Sequence, residues 1–141
     1  MNATTLDLAS APVLLRAANV IVTHGLMKEE FTGDNGARCS AGAISDACYL
    51  DPADWYDNPD LAVARDEDDL DELESWQTAR AAALAALRTL IGHLYPDSRP
   101  EEMSRIQLLD KVATWNDDEH RTAGQVAAAM RAAAREAVAT P

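Results

Sequence analysis

The side chains able to do chemistry in this chain fall in three places. Cys39 and Cys48 stand nine residues apart, Asn116-Asp117-Asp118-Glu119-His120 gathers carboxylates and an imidazole in consecutive positions, and Asp66-Glu67-Asp68-Asp69 with Asp71-Glu72 crowds six acids together. Cys39 would be a nucleophile if a base such as His24 or His120, or a helix N-terminus, lowered its thiol. Both cysteines also fall on the apolar side of a helical pattern, and cysteine is among the most buried residue types, which reads them as packing. The 116–120 run would serve a metal or acid–base chemistry if its side chains converged. Neighbours in sequence diverge in direction, however, and Asn and Asp in a helix connection commonly bond loop backbone. His24 and His93 have no second ligand four residues away and read as histidines at the edge of the core.

The acidic run fails the calcium-loop pattern, because counting from Asp66 the sixth position is Asp71 instead of Gly and the twelfth is Gln77 instead of Glu. There is no glycine-rich phosphate loop, no GxSxG and no HExxH. No metal or other cofactor is therefore expected. Charge distribution is more informative: Asp51 to Glu74 holds eleven acids against Arg65 alone, a net −10, whereas the rest of the chain sums to −2 of the total −12. A near-neutral body with one acidic segment favours a protein partner with a basic surface, met through Asp66, Glu67, Asp68, Asp69, Asp71 and Glu72. It disfavours nucleic acid and anionic membranes. The last helix, with Arg121, Arg131 and Arg135, offers the one basic stripe.

These groups need elements to hold them. A chain of 141 residues suits one domain, and an alanine-rich composition with 5% aromatics favours close-packed helices. The fold class expected is mainly α: a compact bundle of about five helices over residues 1–141, with flexible ends at 1–9 and 139–141. Ser10 caps a first helix that Gly25 stops. Asn35-Gly36, flanked by Glu30-Phe31-Thr32 and Ala37-Arg38-Cys39, is the sequence of a small β-hairpin. A short second helix starts at Cys39, with Ser40, Ser45 and Asp46 on its polar side and Gly42 permitting a close helix approach.

Two proline breaks make 51–69 an acidic loop or insertion. The third helix, Leu70 to Leu94, places Leu70, Leu73, Trp76, Arg80, Ala83, Leu84, Leu87, Leu90, Ile91 and Leu94 on one face and is expected at the centre of the bundle. Ser98-x-x-Glu101 reads as the capping box of a fourth helix ending at Trp115, a buried anchor, and Thr122-x-x-Gln125 as that of a fifth. The early apolar stretch is broken by Arg16 and Asn19 and is too short to cross a bilayer. Without a secretory pattern or a disulfide framework, a cytoplasmic location is expected.

Three stretches, Leu15-Arg16-Ala17-Ala18-Asn19-Val20-Ile21, Gly36-Ala37-Arg38-Cys39-Ser40-Ala41-Gly42-Ala43, and Trp115-Asn116-Asp117 with Arg121-Thr122, resemble a family of small uncharacterised proteins from actinobacteria and their phages. The resemblance covers about residues 13–48 and 105–135 and implies a small helical fold in such a setting, with no activity attached. Two functions are expected from the whole. The first is a non-enzymatic acidic protein that binds a protein partner, as a nucleic-acid mimic or a modulator of a host factor. The alternative is a cysteine- or metal-dependent hydrolase built on Cys39, His120 and Asp117.

Overall fold

The computed structural model describes residues 8–28, 38–50 and 67–139, the last range by backbone alone over 67–73. Five α-helices make up the described chain: α1 (Ser10–His24), α2 (Ser40–Ala47), α3 (Glu67–Leu94), α4 (Arg105–Asn116) and α5 (Ala123–Ala139), with a 3-10 turn at Pro100–Glu102. The bundle is built round α1, which packs against α5, α2 and α3. Its inward face is Val13, Leu14, Ala17, Ala18 and Ile21, the period-3.6 stripe legible in the sequence. Leu8 packs on the core and Ala9, not Ser10, is the N-cap. Gly25 stops the helix as expected, at φ 95, where a side chain would be strained.

The hairpin is not supported. Asn35-Gly36 lies outside the described residues, and no strand occurs among those described; Leu26 and Arg38 meet in a single parallel bridge. A hairpin closes antiparallel, so a parallel bridge means that the chain leaves this segment heading the way it entered. Met27 N–H donates to Arg38 O at 2.8 Å and Arg38 N–H to Gly25 O at 3.0 Å, clamping the two ends side by side.

α2 departs most from expectation. Ser40 and Ser45 are fully buried, and every residue from Ser40 to Ser45 is inside. Six of its eight residues are Ser, Ala or Gly, which makes this possible: α1, α3 and α4 all approach α2, and each serine hydroxyl finds an internal acceptor. Ser45 Oγ donates to Ala41 O one turn back at 2.9 Å, the usual resolution for a hydroxyl buried in a helix. The C-terminus is tied off by the Arg16 side chain, which donates from Nε and a terminal nitrogen to Ala47 O at 3.1 and 3.0 Å.

α2 ends in a Schellman motif, with Leu50 N–H donating to Ser45 O at 2.9 Å and Tyr49 N–H to Asp46 O at 3.1 Å. The left-handed position of that motif normally takes glycine, but here it is Tyr49, at φ 56 with a side chain 84% exposed. Replacing Tyr49 with glycine is expected to stabilise the fold by about 0.5–1 kcal/mol, the left-handed penalty less the extra chain entropy of glycine. Thermal melts check this, and a lowered midpoint would show that the phenol ring contributes contacts of its own.

α3 begins at Glu67, so Glu67, Asp68 and Asp69 belong to a helix and not to the expected loop; acids in a first turn favour helix initiation through the dipole. The rest of that insertion, residues 51–66, lies outside the described residues. Among the side chains described, the apolar stripe is fully inward from Ala83, through Ala86, Leu87, Leu90 and Ile91, while Trp76 and Leu84 are half-buried. α3 is therefore one wall of the bundle, whose centre is shared by α1 and α2.

The start of α4 is also corrected. Ser98 does not cap it: its hydroxyl donates to Tyr95 O at 2.7 Å and finishes α3. The capping box is Ser104 with Gln107, six residues further on, beyond a 3-10 turn and an extended Met103. The expected Thr122 and Gln125 box does open α5, with reciprocal bonds of 3.0 and 3.2 Å.

Candidate functional site

The N-terminus of α2 and the C-terminus of α4 meet end to end, and the residue between them is Asn116. Its Oδ1 accepts from Ser40 N at 2.8 Å and from Ser40 Oγ at 2.6 Å, and its Nδ2 donates to Met27 O at 3.0 Å and to Asp117 Oδ1 at 3.0 Å. One fully buried amide thus joins three stretches of chain, with its acceptor and both amide hydrogens engaged. Cys39 is the N-cap of α2, and its Sγ accepts from Gly42 N at 3.3 Å. On the outside Lys28 Nζ donates to Asp118 O at 2.6 Å.

Sequence reasoning placed Asn116 in a helix connection but missed Ser40 as its partner, because a serine beside an apolar stripe reads as solvated. The available signal was the small-residue run Ser40-Ala41-Gly42-Ala43, which suits a helix packed on every side.

The structure places Cys39 close enough to Asp117 for its carboxylate to act on the thiol. Burial pushes the Cys39 thiol above its ordinary range; the Gly42 N–H offsets part of this, and the Asp117 charge adds to it. An activated nucleophile needs the opposite shift. His120 does not complete a triad: its ring is 87% exposed and pairs with Glu119 at 3.1 Å. Cys48, at the far end of α2, is buried and pushed up to about 11 by desolvation. Asp118 is held below the usual carboxylate range, first by the His120 N–H that it accepts at 2.9 Å. Among the described residues no three His, Cys, Asp or Glu side chains cluster to hold a metal ion.

The other candidates are dispersed. Trp115 is buried, as expected, under the Arg121 guanidinium, which stacks 4.4 Å from the ring centroid and donates from Nε to Trp115 O at 3.0 Å. Arg121 thus lies ahead of α5 instead of on it, and Arg131 reaches Asn19 Oδ1 at 3.5 Å across the α1–α5 seam. His93 sits at the core edge and pairs with Glu136 of α5, whereas His24 is exposed, contrary to the expectation for it. Of the acidic set, Glu67, Asp68, Asp69, Asp71 and Glu72 lie on the opening turns of α3, and Asp66 lies outside the described residues. No described helix is long and apolar enough to cross a membrane.

Residues 6–136 match a family described as a family of unknown function (DUF6197). No curated protein and no solved structure matches the chain.

Proposed function

The chain belongs to this family of unknown function, and from its own residues we propose that it is a non-enzymatic protein that binds a partner with a basic surface through the acidic opening of α3. One observation carries the reading. α3 holds Glu67 and Asp71, and Asp68 and Glu72, four apart, with Asp68 and Asp71, and Asp69 and Glu72, three apart. Like charges at these spacings each destabilise a helix by about 0.2–0.5 kcal/mol. First-turn acids have a structural use against the dipole, but Asp71 and Glu72 lie beyond that turn, where their spacing from Glu67, Asp68 and Asp69 adds repulsion. A basic partner turns that repulsion into attraction and speeds encounter.

Imitation of nucleic acid is the specific form supported best. From Glu67 to Glu74 six acids occupy about 10 Å of helix axis, close to the density of duplex DNA, about one charge per 1.7 Å. The partner is then a DNA- or RNA-binding protein or another host factor, met in the cytoplasm of an actinobacterium or of its infected cell, the setting that the sequence resemblance implies.

Changing Asp71 to Asn and Glu72 to Gln together is expected to abolish salt-sensitive capture of the partner from lysate. The same pair of changes should leave thermal stability equal or higher by a few tenths of a kcal/mol. Capture with undiminished affinity and the same salt dependence would reduce the acidic turns to a solvated helix end.

A further inference from the structure

Away from Asn116 at its C-terminal end, α4 carries a second pattern. Leu108, Leu109, Val112 and Trp115 face the core, while Gln107, Asp110, Lys111 and Thr114 repeat at three- and four-residue intervals on another side. That side borders an open cleft of about 360 Å³, also lined by Tyr95 and Met103 from the α3–α4 connection. This volume is at the lower end of the range for small-molecule sites, roughly 300–1,000 Å³.

The cleft has a charge of each sign and an apolar wall. Lys111 Nζ lies over the Tyr95 ring, 4.3 Å from its centroid, so the ammonium is held at the cleft by the ring's negative face. Among the described residues neither Lys111 nor Asp110 is paired with an opposite charge, although ion pairs form elsewhere on the surface. A simple anion would meet Lys111 but be repelled by Asp110, and a simple cation the reverse. A neutral apolar ligand would cover the wall while taking water from two unpaired charges, a costly exchange. A ligand that carries both charges and an apolar side group satisfies all three features. We propose that this cleft binds a small zwitterion of the α-amino acid type, its carboxylate on Lys111, its ammonium on Asp110 and its side group against Tyr95 and Met103.

This site is independent of the acidic turns of α3. It predicts a selectivity that a merely sticky groove lacks, because loss of either ligand charge leaves one protein charge unmatched. The test is calorimetric titration of the full chain with L-leucine, L-methionine and L-phenylalanine, each beside its amide and its N-acetyl derivative. At least one free amino acid is expected to bind saturably, with both derivatives weaker by roughly tenfold or more, as expected for loss of a charge-assisted hydrogen bond. Lys111→Gln and Asp110→Asn should each produce the same loss while circular dichroism is unchanged. Absence of binding by all three amino acids at about 10 mM, where even millimolar affinity would saturate, overturns the proposal. So does equal binding of the derivatives, a comparison made on the unaltered chain and so immune to folding defects in the variants.

Discussion

Replacing Asn116 with alanine is expected to destabilise the protein by about 2–4 kcal/mol, because it strips partners from buried groups and offers nothing in return. Ser40 N–H and O–H both donate to Asn116 Oδ1, and Met27 O accepts from its Nδ2. Each buried group left unpaired costs about 1–3 kcal/mol, although the Met27 carbonyl, which is half-buried, can recover water. Ser40→Ala removes only the hydroxyl half of the contact and should cost about 1 kcal/mol. The double variant should cost less than the sum of the singles, since both delete the same bond. Urea unfolding of the four proteins gives the coupling directly. Additive losses would mean that Ser40 and Asn116 do not act as a pair.

Leu87→Ala is expected to be the most damaging single truncation in α3, at about 2–5 kcal/mol, since Leu87 has no exposed surface and lies midway along the inward stretch from Ala83 to Ile91. For a chain of this size, that corresponds to a fall in the thermal midpoint of roughly 4 °C per kcal/mol. Leu84→Ala, three residues away on the half-buried edge, serves as the control and should cost markedly less. Comparable losses at the two positions would show that the helix is rotated from the face described.

The comparison of Leu84 with Leu87 also marks how far the sequence carries. Periodicity placed both on one stripe and was right about the helix, but a stripe does not say along which part of its length another helix lies over it. Caps were more definite where both partners were free: Thr122 and Gln125 open α5 as read. Ser98 and Glu101 satisfy the same pattern as Ser104 and Gln107, and only the competing bond from Ser98 to Tyr95 O decides between them. Asn35-Gly36 is a turn signal, but the direction of the flanking chains is set at Leu26 and Arg38, by pairing that no local pattern encodes. Of the candidate site, Asn116 and Cys39 were visible as residue types. The role of Asn116, an internal amide clip, depends on Ser40, 76 positions away in the chain; that of Cys39, a thiol cap, depends on Gly42, three positions on, once α2 has formed.

The packing of α1 against α5 also sets a schedule for the nascent protein. Arg131 meets Asn19 across that seam from 112 residues further along. At roughly 5–20 residues per second of synthesis, Val13, Leu14, Ala17 and Ile21 wait on the order of 5–20 s for the helix that covers them. During that interval the part of α1 that α5 will cover stays open to water, and the ribosome-bound chain presents to chaperones a surface that the finished protein hides.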